Sequence, residues 1–257
     1  MSYRILIFLF LALTIFISCK PKSTVEAATE AISDSTAQGS TFVPNTTKLL
    51  YVHAGKGVVL RATPGADGAK IATLAYGTTV ETSSSETTGA VYVAERVGPH
   101  ELSGKWLKVK MKDGKEGYVF ERYVFPFPTH AADYGEQSYF EWFYQQFAPE
   151  AKIELTTDDS TSFQEGAIDG RTAIFDDGAE YEFAMFEGGI SEFLRIPLGK
   201  MTIEDALVIF RAAHFRADEN ITTSYDETLK SIFVNGETSA VQIQEKDGFL
   251  EIAIHAT

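Results

Sequence analysis

The chain has 257 residues, 44% of them hydrophobic, which is enough for two modest domains with sizeable cores. It carries 36 acidic against 22 basic side chains, a net charge of −14 at neutral pH. That balance excludes a nucleic-acid binder and a protein held on anionic lipid by its charge, because both select basic patches.

The chain opens Met1-Ser-Tyr-Arg4, then an apolar run from Ile5 to Ile17, then Ser18-Cys19. The run is shorter than the ~20 residues of a membrane span. A basic head, an apolar stretch and a small residue before a cut predict a secretory signal over residues 1–18. Phe16-Ile17-Ser18-Cys19 resembles the lipobox of bacterial lipoproteins. The resemblance implies that Cys19 becomes the lipidated first residue of the mature chain. With Lys20 behind it, the implied location is the cell envelope, in the outer membrane of a diderm bacterium, on its periplasmic or surface face. Cys19 is the only cysteine, so no disulfide and no catalytic thiol remain. Residues 19–47 are small, polar and Ser/Thr-rich. Such a stretch cannot bury enough surface to offset chain entropy, and it reads as a flexible tether.

Residues 48–126 hold short runs rich in Val, Leu, Ile and aromatics, bounded by Gly, Pro or Asp, the pattern of short strands joined by tight turns. Asp113-Gly114 suits a hairpin turn, since both positions tolerate positive φ. Trp106, Val109 and Met111 do not alternate cleanly with Leu107, so burial on both faces is expected. The segments Gly57-Val-Val-Leu-Arg-Ala-Thr-Pro64, Ile71-Ala-Thr-Leu-Ala-Tyr-Gly-Thr-Thr-Val80, Trp106-Leu-Lys-Val109 and Gly117-Tyr-Val-Phe-Glu-Arg-Tyr-Val124 resemble, in this order, the motifs of the bacterial SH3 family. Three positions depart from the family pattern: Val59 stands for Asn, Thr63 for Gly and Tyr118 for the second Trp. Residues 82–104 form a long insertion, with a strand-like run at Ala90–Val97, and inserted loops on such scaffolds often carry binding contacts. The resemblance implies a five-stranded small barrel that binds peptides, cell-wall peptides among them, without catalysis. Tyr51, Trp106, Tyr118 and Tyr123 either line an aromatic groove on one face or fill the core of the barrel. Arg61 either braces the turn at Pro64-Gly65 or contacts the ligand.

Pro126-Phe-Pro128 breaks the last strand and starts a short linker to residues 130–257. A helix is predicted over Tyr134–Phe147, with Phe140, Phe143, Tyr144 and Phe147 on one face. Strands are predicted at Ile153–Thr157, Ser162–Ile168, Thr172–Phe175, Glu180–Phe186 and Glu192–Ile196, with acidic-Gly turns between them. A second helix runs from Ile203 to Ala213, capped by Thr202 with Asp205 three residues on. Strands at Leu229–Val234, Ala240–Glu245 and Phe249–His255 close the chain. The expected architecture is an all-β, SH3-like small barrel followed by an α+β domain, an antiparallel sheet with two helices packed on one face.

Residues 130–257 carry no Gly-x-Ser-x-Gly elbow, Ser-x-x-Lys, His-Glu-x-x-His or phosphate loop. His53, His100, His130, His214 and His255 are scattered without ligand spacing. His130 with Asp133 is a weak pair, and Asp158-Asp159 and Asp176-Asp177 lack the alternating oxygens of a calcium loop and read as solvated turns. No catalytic residue, metal ligand or cofactor is expected. The partners expected are the membrane through the lipid anchor and either peptidoglycan or an envelope protein, with no nucleic acid. The leading reading is a non-catalytic envelope lipoprotein that binds a peptide-like ligand. The alternatives are a structural or assembly partner of another envelope protein, and a cell-wall hydrolase with its chemistry in residues 130–257.

Overall fold

The computed structural model describes residues 47–83, 86–129, 139–157, 168–215 and 220–256. Outside them lie the expected signal, Cys19 and the expected tether but for Thr47. So do the start of the helix expected from Tyr134, the strand expected at 162–168 but for Ile168, His130 with Asp133, and Asp158-Asp159.

The first sheet contains β1 (Lys48–Val52), β2 (Val58–Arg61), β3 (Lys70–Leu74), β4 (Thr79–Thr82), β5 (Thr87–Val97), β6 (His100–Met111), β7 (Glu116–Phe120) and β8 (Val124–Phe125). Its bonded order is β3-β2-β7-β6-β4-β1-β8, with β5 attached to β6, and its pairings are antiparallel. The expected five-stranded barrel is therefore corrected: the sheet has eight strands and does not close, since β3 and β8 end the path. One of the additional strands is attached through β6. Trp106 to Lys110 pair with β7, while the same strand runs on to His100 and pairs there with β5. The insertion is thus an extension of a barrel strand into a two-stranded arm.

Alternation fills one face of this sheet with Leu50, Val52, Val58, Leu60, Leu74, Val80, Leu107, Val109 and Val119. On the opposite face Trp106 packs with Leu102, Phe120 and Val208. Trp106 and Leu107 are neighbours in sequence and both buried, one on each face, which is why their alternation fails.

The second sheet follows α1 (Tyr139–Phe147) and contains β9 (Ile153–Thr157), β10 (Asp169–Phe175), β11 (Glu180–Phe186) and β12 (Gly189–Pro197). After α2 (Ile203–Phe215) it continues with β13 (Thr222–Asp226), β14 (Ser231–Asn235), β15 (Ser239–Lys246) and β16 (Phe249–Ala256). The order β13-β14-β15-β16-β12-β11-β10-β9 joins two meanders at the antiparallel β12–β16 pair. Each meander has four strands and follows one helix. One cross-strand row, Tyr181, Leu194, Ile252, Ile243 and Ile232, faces the helices. Thr202 caps α2 as expected: its Oγ1 accepts the Asp205 N–H at 3.1 Å. Ile203, Ala206, Leu207 and Phe210 face this core, while Val208 reaches the aromatic face of the first sheet. Phe127, placed by sequence in a linker, is buried and rivets the two halves. Its ring lies 5.0 Å from His53 and 5.7 Å from both Phe143 and Phe147.

Candidate functional site

The outer face of β6 and β7 gathers most of the residues the sequence singles out. Trp106 and Phe120 are cross-strand partners, as are Lys108 and Tyr118, and Arg61 of β2 stands opposite Tyr118. The β5 arm then folds over this face. Tyr92 approaches Trp106 at 6.0 Å and Phe120 at 5.6 Å between centroids. Gly89, at φ +83°, passes so close that a Cβ would lie 3.2 Å from both Pro64 and Trp106. Trp106 is consequently 4% exposed, so its ring is a wall of the packing and offers no open groove. Arg61 braces its turn: Nη1 donates to the Gly68 carbonyl at 2.7 Å, and the guanidinium lies 5.8 Å from the Trp106 ring.

Tyr118 is half-buried at the margin of this cluster. Tyr51 does not join it, because β6 and β4 separate β1 from β7. Tyr123 sits in the short 3-10 turn Glu121–Tyr123 and packs against both clusters of the first sheet. Tyr123 also lines a cavity of about 300 Å³ with Ala54, Gly55, Lys56, Gly57, Arg211, Ala212 and Ile221. Burial pushes the Tyr123 hydroxyl above its ordinary value, so it remains a protonated donor. Arg211 meets Glu95 through two hydrogen bonds of 2.8 Å. Sequence reading missed this cavity because its walls come from a β1–β2 turn and a helix more than 150 residues later.

Other polar clusters tie elements together. The Tyr144 hydroxyl donates to Asp177 at 2.7 Å, and Lys200 forms an ion pair with the same carboxylate. Burial pushes the Asp177 carboxyl up, but the hydrogen bonds from Lys200 and Tyr144 outweigh it and the net shift is downward. Burial and the Asp177 bond raise the Tyr144 phenol, the wrong direction for a base. Asp176-Asp177 was expected to be a solvated turn; Asp177 is instead a strut between that turn, α1 and the segment after β12. Glu192 of β12 accepts the Phe140 N–H at 3.2 Å at the start of α1, and burial pushes its carboxyl up to about 7. His53 is 2% exposed, with Nε2 3.1 Å from the Phe127 carbonyl, and burial pushes its imidazole down to about 4. The neutral ring therefore donates to that carbonyl. No cluster of three or more potential metal-binding side chains occurs among the described residues.

Residues 56–125 match the family model of the bacterial SH3 domain, in agreement with the motifs of that stretch. No curated protein and no solved structure matches the chain.

Proposed function

We propose that the chain is a non-catalytic lipoprotein of the cell envelope whose SH3 module binds a peptide-like ligand, with the stem peptide of peptidoglycan as the leading candidate. The observation that carries this reading is the bacterial SH3 domain at residues 56–125, a kind of module that commonly binds cell wall or peptides. The lipobox-like run Phe16-Ile17-Ser18-Cys19 supports anchoring, and a tethered module gains effective concentration at the wall without new contacts. The accessible part of the aromatic face is Tyr92 and Tyr118, beside the braced Arg61. These rings are suited to lie against an extended backbone.

Co-sedimentation of the protein with insoluble peptidoglycan, at low and high salt, tests it. An acidic protein gains little from nonspecific attraction to an anionic wall, so retention at both salts is the expected result. Loss of retention in Tyr92→Ala with Tyr118→Ala would assign it to this face. No retention at either salt overturns the wall reading.

A second reading, a protein partner, has one observation in its favour. Among the described residues β5 pairs only with β6, and its Val91 is 63% exposed, with Tyr92 and Val93 also exposed. An edge strand with apolar side chains is a template for an added strand. Val91→Lys would then weaken partner capture and leave peptidoglycan retention unchanged.

A further inference from the structure

The cavity lined by Lys56, Tyr123 and Arg211 has a chemistry distinct from the aromatic face. Arg211 is already answered by Glu95, so its charge is not free for a ligand. Lys56 is exposed and has no ion-pair partner among the described residues, in a chain of net charge −14. Lys56 lines the cavity from a fixed turn: Gly57 donates its N–H to the Ala54 carbonyl at 2.8 Å and adopts φ +79°. A Cβ there would lie 2.6 Å from the Leu74 carbonyl, so the turn has little freedom to rearrange. Apart from Ile221, the apolar wall is small, made of Ala54, Gly55, Gly57 and Ala212. A volume of about 300 Å³ is at the lower end for ligand sites, enough for one or two small residues.

We propose that this cavity binds the C-terminal carboxylate of a peptide ending in one or two small apolar residues. Lys56 is the counter-ion, Tyr123 a hydrogen-bond donor, and Ala54, Ala212 and Ile221 the seat for the terminal side chains. The proposal rests on the peptide-binding reading above and adds to it the end of the peptide that is recognised. It also makes the second half of the chain part of the site, because Arg211 and Ala212 belong to α2. A carboxylate fits better than a neutral group because a charge-assisted bond to Lys56 is stronger and is lost on amidation. The free carboxylate can come from a cell-wall stem peptide or from the end of a protein, and the two differ in the handedness of their alanines.

The test is titration of the full-length protein, in mild detergent, with N-acetyl-alanyl-alanine in its L,L and D,D forms and with the C-terminal amide of each. The expected result is saturable binding of at least one acid, with its amide weaker by about tenfold or more. Preference for the D,D acid points to the wall, and preference for the L,L acid to a protein terminus. Lys56→Gln should weaken the acid to the level of the amide. Ala212→Trp, which fills the cavity, should abolish binding; Lys56→Gln, on an exposed side chain, keeps the test decisive should the Trp variant misfold. Equal binding of acid and amide, or no binding of either acid up to about 10 mM, overturns the proposal. Retention of wild type and Ala212→Trp alike on peptidoglycan, with that dipeptide result, sinks the cavity and leaves the wall reading standing. Dipeptide binding without retention on peptidoglycan sinks the wall reading and leaves the cavity.

Discussion

The two sheets of this molecule use their outer faces differently. Across the second sheet a polar row is closed partner by partner. Arg195 bonds Glu180 at 2.8 Å and reaches Glu251 at 3.3 Å; Gln244 donates to Glu251 at 2.7 Å and accepts from Ser231 at 2.9 Å. Directly opposite residues on successive strands satisfy one another, which suits a scaffold. The outer face of the first sheet instead carries rings and cations, with Tyr92 exposed and Tyr118 half-buried. Their cores differ as well. The second sheet and both helices share one large cluster, whereas the first sheet divides its burial between an inner cluster and the small aromatic patch around Trp106. The lesson is a division of labour, in which the thicker core supports the face proposed to meet ligands.

That division is broken hardest at α2, which touches both sheets. Phe210 is fully buried, with ring centroids 4.9 Å from Phe143 and 5.3 Å from Phe140. Phe210→Ala is expected to cost about 3–5 kcal/mol through lost burial and a cavity. The chain has two tryptophans, Trp106 on the first sheet and Trp142 on α1, so single-Trp variants report each half. Both reporters should shift to lower denaturant together, because Phe127 and Val208 couple the cores. A Trp106 transition left in place would show that the halves unfold independently.

A sharper comparison comes from one buried titrating group in each half. Glu192 is raised to about 7 by burial, so its share of stability is full below about 4.5 and is lost as pH rises to 7. His53 is lowered to about 4 by burial, so its share is full above about 6.5 and is lost as pH falls to 4. Each amounts to roughly 3 kcal/mol, and the two slopes oppose one another between about 4.5 and 6.5. Denaturant titrations across that window should therefore give Glu192→Gln a stability that rises with pH relative to wild type. His53→Gln should show the reverse trend. Parallel curves for all three proteins would remove both groups from the pH response.

A smaller effect is expected at the strut on α1. Tyr144→Phe removes the hydroxyl that donates to Asp177 and leaves the Lys200 ion pair. Hydrogen bonds to charged groups contribute a few kcal/mol, so a loss of about 2 kcal/mol is expected in chemical denaturation. No measurable loss would mean that Lys200 alone holds the turn to its surroundings.

Much of this fold was legible because local signals and packing agree. The faces of α2, its Thr202 cap and most strands of the second sheet follow directly from periodicity and turn residues. β13 (Thr222–Asp226) was missed because Thr-Thr-Ser-Tyr-Asp lacks an apolar alternation, and its pairing with β14 supplies what the sequence does not. The added arm of the first sheet was hidden for another reason: strand length in β6 is set by its pairing with β5, which no local motif encodes. Trp106 was recognisable as a groove or core ring and Arg61 as a brace of its turn, but the arm that buries the ring comes from an insertion whose direction cannot be read from residue types. Lys56 and Arg211 gave no signal at all, since only the docking of α2 brings their segments together.

The arm itself gives the smallest expected effect and the finest probe of the first sheet. Gly89 has positive φ, and a Cβ there would fit tightly, 3.2 Å from both Pro64 and Trp106. Gly89→Ala should cost roughly 1 kcal/mol, because an L residue is strained there and one neighbour must move. The move should lift the arm from Trp106 and leave the second sheet untouched. In a Trp142→Phe background the Trp106 emission should shift to the red and become easier to quench, with denaturation displaced slightly. In the Trp106→Phe background, Trp142 emission in the native state should stay unchanged. An unchanged Trp106 spectrum would mean that the arm adapts along its bulged pairing with β6, and that the aromatic face stays covered however the arm is anchored.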